Sequence, residues 1–216
     1  PKDYLLPFLQ GETHMQEGNA RAARGYFRRA LELNPTFDQA AVGLGRAAYR
    51  AEENAEAANA YELAVQLNPQ NFLARLALGK AYWRLKRFQE AANEQREVLR
   101  THPKFAEAHA DYGITLVHLK RFPEALPALL KGLELGAREA TVYNFLGNAY
   151  IALGRRPEGL QAYERAISLD PEYATPYLNL AILYDEMGER EKSQGYFQKA
   201  CRISPEVCRQ LPARLR

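Results

Sequence analysis

The chain has 216 residues, enough for one or two domains with a substantial core, and 29 basic against 26 acidic residues leave a net charge of +3. That balance is too mild for a nucleic-acid binder, and no apolar run approaches the roughly 20 residues needed to cross a bilayer. Cys201 and Cys208 form neither a Cys-x-x-Cys pair nor a Cys/His cluster, so they read as one packed and one partly exposed thiol, with no zinc and no cofactor implied.

Along the chain, Pro35, Pro69, Pro103, Pro171 and Pro205 stand 34, 34, 68 and 34 residues apart, with Ala137 in the vacant place. The frame defines six units in one array, 4–37, 38–71, 72–105, 106–139, 140–173 and 174–207, followed by a short basic tail over 208–216. Small residues recur in register: Gly11, Gly45, Gly79, Gly113 and Gly147, with Ala181 in the sixth place. Phe27, Tyr61, Tyr163 and Phe197 form an aromatic column, replaced by Gln95 and Leu129 in the middle.

Each unit reads as two helices. In the fourth, Pro127 falls inside the second helix and Ala137 replaces the terminal proline, which predicts a bend or a looser turn. In the fifth, Tyr143, Leu146, Gly147 and Tyr150 share one helical face. Gly154 interrupts it, Pro157 opens a second helix, and Asp170-Pro171 stops that helix, because the residue before proline is pushed out of the helical region. Small residues at the recurring places let helix axes approach closely.

The period of 34, with Leu146-Gly147 and Tyr150 in a first helix and Tyr163, Ala166 and Pro171 in a second, resembles the tetratricopeptide repeat, and the resemblance runs over 4–207. It implies an all-α fold: a right-handed superhelical solenoid of antiparallel helix pairs, whose first helices line a concave groove for a peptide or partner segment. In the repeat's frame, the groove-facing columns are Glu12, Arg46, Lys80, Ile114, Asn148 and Ile182; Gln16, Arg50, Arg84, His118, Ala152 and Glu186; and Met15, Tyr49, Trp83, Val117, Ile151 and Asp185.

Two binding clusters lie on the first helices. Arg46, Arg50, Lys80 and Arg84 crowd one patch beside Tyr49 and Trp83, a charge excess that an acidic peptide would relieve. The alternative is internal: Glu12 pairs with Arg46, Asp111 reaches Lys80 or Arg84, and the arginine stems cover the aromatics. At the other end, Asn144, Asn148 and Asn179 suit contact with a peptide backbone. Asn148 and Asn179 match the clamp that some family members use on acidic chaperone tails, but Asn144 stands where that clamp has lysine. The asparagine ladder of the nucleocytoplasmic glycosyltransferases is absent, since Leu9, Gly43, Ala77, Asp111 and Phe145 occupy its places.

His14, His102, His109 and His118 fall in separate units without metal spacing, and no nucleophile elbow, Walker loop or dinucleotide fingerprint occurs. The expectation is a non-catalytic scaffold for a protein or peptide partner with an acidic segment, without nucleic acid or membrane insertion. The rivals are a recruitment region within a larger multidomain enzyme, suggested by the start at Pro1, and a homo-oligomer formed through the terminal repeats. The cytoplasm is the expected compartment, or the periplasm if a leader has been removed.

Overall fold

The computed structural model describes residues 3–206, and among them every regular element is a helix. The first helices are α1 (Leu5–Gln16), α3 (Asp38–Arg50), α5 (Phe72–Arg84), α7 (Ala106–His118), α9 (Ala140–Ala152) and α11 (Ala174–Glu186). Their partners are α2 (Ala20–Leu33), α4 (Asn54–Leu67), α6 (Phe88–Thr101), α8 (Phe122–Glu134), α10 (Arg156–Leu169) and α12 (Arg190–Ile203). From α3 on, the first helices begin 34 residues apart, and all six second helices begin 34 apart, so twelve helices make six pairs in one frame. The chain divides into two compact units at Thr115–Leu116.

The helix starts have several causes. Asn19 and Asn71 accept hydrogen bonds from the Ala22 and Ala74 amides, at 3.2 and 3.0 Å, as N-caps. Arg87, Arg121 and Arg155 head α6, α8 and α10 without a side-chain cap. Each instead pairs with a glutamate three residues on, Glu90, Glu124 and Glu158, whose carboxylates also sit in the first turn, where the helix dipole favours them. The turn inside each pair has one requirement throughout: Gly18, Glu52, Lys86, Lys120, Gly154 and Gly188 all hold φ between 58° and 78°. Half of these places lack the glycine that this left-handed conformation favours.

The fourth pair departs from the pattern, though not by breaking. Helix α8 runs through Pro127 without interruption, ends one residue before its counterparts, and closes on Gly136 at φ 112° with Ala137 buried. Cys201, expected as a packed thiol, is disulfide-bonded; Cys208 and the basic tail lie outside the described residues.

In the first unit, Phe27 packs with Leu44 and Ala47, Tyr61 with Leu78 and Ala81, and Val98 with Leu76 and Ala108. Each cluster sets a second helix against the following first helix. In the second unit, Tyr163 of α10 packs the same way against Leu180 and Leu183 of α11. The small residues are what make this possible. A methyl group built on Gly147 would come within 2.5 Å of the Tyr163 ring, and one on Gly43 within 2.6 Å of Phe27. Burial drives the Tyr61 hydroxyl up to about 12, with Arg46 and Arg50 pulling the other way.

Candidate functional site

Within the first unit, α1, α3 and α5 present Glu12, Arg46 and Lys80 from one column and Arg50 and Arg84 from the next. Arg46 Nη2 donates to Glu12 Oε1 at 2.5 Å. Lys80 is hydrogen-bonded to Glu107 and lies 3.7 Å from Asp111, both on α7. Burial pulls the Lys80 ammonium down, but Asp111 and the bond to Glu107 outweigh it and hold the group above its ordinary range.

Arg50 and Arg84 behave differently. Arg50 Nη1 points at the Met15 carbonyl at 3.4 Å, and Arg84 Nη1 donates to the Tyr49 carbonyl at 3.2 Å. The two arginines thus make one contact, repeated in register, to the last turn of the preceding first helix, where the dipole favours a cation. The Arg84 guanidinium also lies 3.7 Å from the Tyr49 ring centroid. Among the described residues neither arginine meets a carboxylate. Trp83 is half-buried and sits edge-on to Phe88, 6.2 Å between centroids. Glu12, Met15, Gln16, Arg46 and Arg50 line an open pocket of about 380 Å3.

In the second unit the three asparagines come together. Asn179 Nδ2 donates to Asn144 Oδ1 at 2.9 Å and to Asn148 Oδ1 at 3.2 Å, and the Tyr163 hydroxyl donates to Asn148 Oδ1 at 2.8 Å. Asn144 is 1% exposed, and the other two are half-buried. This network joins α9, α10 and α11. Among the described residues no partner engages the two N–H donors of Asn148 Nδ2 or the acceptor Asn179 Oδ1.

Sequence reasoning placed the cations but missed Glu107, the two carbonyl acceptors and Tyr163. The histidines have local partners: His14 stacks on Tyr26, His102 on Phe72, His118 lies beside Phe145, and His109 Nε2 meets the Pro103 carbonyl at 2.9 Å. Among the described residues no three His, Cys, Asp or Glu side chains are grouped to hold a metal ion, and no helix is long and apolar enough to cross a membrane.

A family profile described as tetratricopeptide repeat matches residues 8–72 and 76–140, and a second of that description matches 174–207. A third, described as TPR repeat, matches 147–188. No curated protein matches the chain. Three solved structures illustrate the fold. YrrB, described as a TPR protein with an unusual peptide-binding site, is 20% identical with a TM-score of 0.71, covering 81% of this chain and 90% of its own. PilF of Pseudomonas aeruginosa is 19% identical, TM-score 0.76, with 97% of each chain covered. The APC/C hetero-tetramer Cut9–Hcn1 is 18% identical, TM-score 0.77; 97% of this chain matches 43% of that one. At these identities the likeness concerns the fold.

Proposed function

The chain belongs to the tetratricopeptide repeat family, and on that premise we propose that it is a non-catalytic interaction module holding a peptide or partner segment against its first helices. The observation that carries this reading is the difference among the four cations. Arg46 and Lys80 have carboxylates within the chain, whereas Arg50 and Arg84 rest on neutral carbonyls and a tyrosine ring. The Arg50 contact is part-buried and the Arg84 contact exposed; hydrogen bonds from a charged donor to a neutral carbonyl contribute about 1–3 kcal/mol, which two parallel bonds to a ligand carboxylate can replace. Arginine offers that carboxylate two parallel donors, which gives the acidic preference its chemistry.

The order of events is simple. The aromatic ring of Tyr49 keeps Arg84 extended and reduces the entropy lost when a ligand arrives. An acidic side chain entering beside Arg50 occupies the open pocket that Arg46 also lines. YrrB's described peptide-binding site supports peptide as the ligand class. A second reading rests on the asparagines: the unengaged amide NH2 of Asn148 and carbonyl oxygen of Asn179 suit the main chain of an extended peptide at the second unit. Whether the module works alone or within a larger enzyme does not change this chemistry.

Trp83 is the chain's single tryptophan, so its emission reports on the site without a label. Acidic, neutral and basic peptide pools would be titrated against the wild type, the Arg50→Glu/Arg84→Glu variant and the Arg28→Glu control on α2. The expected result is binding of acidic pools that weakens with salt and falls about tenfold or more in the double variant only. Equal binding by all three proteins would sink the acidic reading, and loss confined to Asn179→Ala would favour the second.

A further inference from the structure

Three places in register meet between the two helices of a pair. In the fifth pair Tyr143 and Tyr150, two turns apart on α9, hold the first two, and Ala162 of α10 holds the third. The other pairs show what the third place does. In the sixth it holds Tyr196, whose ring stacks on Tyr184 with centroids 5.5 Å apart and planes 1° from parallel, and lies 6.4 Å from Tyr177. With that ring against them, Tyr177 and Tyr184 are only 8% and 9% exposed. In the first pair Tyr26 stacks on His14 in the same way, 5.1 Å between centroids. In the third, Glu94 accepts a hydrogen bond from Arg75 at 2.7 Å. The second pair has nothing to cover, since Ala41, Ala48 and Ala60 fill the three places and are all buried, and in the fourth Leu116 is fully buried.

The fifth pair has two rings and no side chain to cover them. Tyr143 and Tyr150 are half-buried, and Ala162 ends at its methyl group. They line an open pocket of about 270 Å3 together with buried Leu146, and with Glu158 and exposed Arg165. The two charges are not equivalent. Glu158 is paired with Arg155 at 2.7 Å. Arg165 lies 5.9 Å from the Tyr143 ring centroid and donates to the Ser168 hydroxyl at a long 3.4 Å, so among the described residues no carboxylate engages it. The pocket therefore offers aromatic surface beside a positive charge that the chain leaves unanswered.

We infer that this pocket receives an aromatic side chain of a partner segment, a tyrosine or phenylalanine with a carboxylate next to it. The ligand ring takes the place beside Tyr143 and Tyr150 that Tyr196 takes beside Tyr177 and Tyr184, and stacks on Tyr150. The neighbouring carboxylate meets Arg165, which can grip it with two donors. Charge complementarity fixes the sign of the flanking group, and the sixth pair supplies the template for the ring. Arg50 and Arg84 belong to the other compact unit, and Asn144, Asn148 and Asn179 do not line this pocket. The site is thus independent of both readings of the first-helix face.

The test is two-dimensional NMR of the isotope-labelled chain, titrated with three capped tripeptides: Glu-Tyr-Glu, Glu-Leu-Glu and Lys-Tyr-Lys. Glu-Tyr-Glu is expected to shift amide signals of α9 and α10 and to bind there about fivefold or more tighter than either of the others. Ala162→Tyr copies the sixth pair into the fifth and is expected to abolish those shifts while the thermal midpoint holds or rises. Arg165→Glu, at an exposed position, is expected to turn the preference towards Lys-Tyr-Lys, and it carries the test if Ala162→Tyr does not fold. Arg50→Glu/Arg84→Glu is expected to leave the α9 and α10 shifts intact, so failure of one site is distinguishable from failure of the other. A wild type without shifts in α9 and α10, or one that binds the leucine peptide equally well, would overturn the inference. So would undiminished binding by folded Ala162→Tyr, or an unchanged charge preference in Arg165→Glu.

Discussion

Gln95 provides a direct test of whether the repeated columns are energetic units. It occupies a place filled elsewhere by Phe27, Tyr61, Leu129 and Tyr163, is 1% exposed, and its Oε1 is buried without a hydrogen-bond partner among the described residues. A buried acceptor left unpaired costs about 1–3 kcal/mol. Gln95→Leu removes that acceptor and keeps an apolar side chain, one atom shorter, against Gly79, whose added methyl would lie 3.2 Å from Gln95 Cγ. Branching at Cγ crowds this spot and returns up to about 1 kcal/mol. The expected net is stabilisation by about 1–2 kcal/mol, a rise of roughly 2–8 °C in the thermal midpoint for a chain of this size. Urea titration read by far-ultraviolet circular dichroism gives the midpoint and the slope together, and an unchanged slope licenses the comparison. The reciprocal Leu129→Gln places an unpaired amide at a fully buried position and is expected to lose about 2–3 kcal/mol. If Gln95→Leu lowers the midpoint while the folded spectrum is unchanged, the amide has a partner and the reasoning fails.

Other expectations follow from the same geometry. Lys86→Gly and Lys120→Gly relieve φ values of 60° and 58°, and each is expected to raise the unfolding free energy measured by urea titration by about 0.5–1 kcal/mol; a loss would mean that the turn carries no strain. Asn179→Ala removes both donors to Asn144 Oδ1 and Asn148 Oδ1 and orphans the buried one, so thermal melts should show a loss of about 1–3 kcal/mol, with an unchanged melt refuting the network. Burial raises the Tyr61 hydroxyl from 10.0 to about 12, so the folded state resists ionisation that the unfolded state accepts. Stability contributed by that phenol is complete below pH 10 and is lost as pH rises towards 12. Tyr61→Phe should reduce the stability lost between pH 10 and pH 12 by about 2–3 kcal/mol, and an identical loss in the variant would assign it to other groups.

Much of the fold was legible because its signals are repetitive and local. Proline and glycine columns at one period located the pairs, and a small residue opposite an aromatic explained their closeness. What escaped had a different cause. The left-handed turn is imposed by closing two helices in a fixed number of residues, so Glu52, Lys86 and Lys120 adopt it despite their side chains, and no composition signal marks them. The early end of α8 depends on Gly136, one place before the missing proline, and a proline-based frame passes over it.

The polar site was half legible, and the missing half has a rule. Contacts between successive repeats run at sequence offsets of 34 for Arg46–Glu12, 35 for Arg50–Met15, Arg84–Tyr49 and Asn179–Asn144, 31 for Asn179–Asn148, and 27 for Lys80–Glu107. These values are one period, or one period less about one or two helical turns, as expected when neighbouring helices meet along one face. Reading only the 34-residue column finds Glu12 and misses Glu107. Applied to the four cations, the wider rule separates them from sequence alone. Arg50 meets no acid at any of these offsets in either direction: the places hold Ala23, Asn19, Gln16, Met15, Ala77, Ala81, Arg84 and Leu85. Arg84 finds one acid on a first helix, Asp111, which already lies against Lys80. On the proposed function, charge left over after this pairing, and not charge density itself, marks the place for an acidic partner.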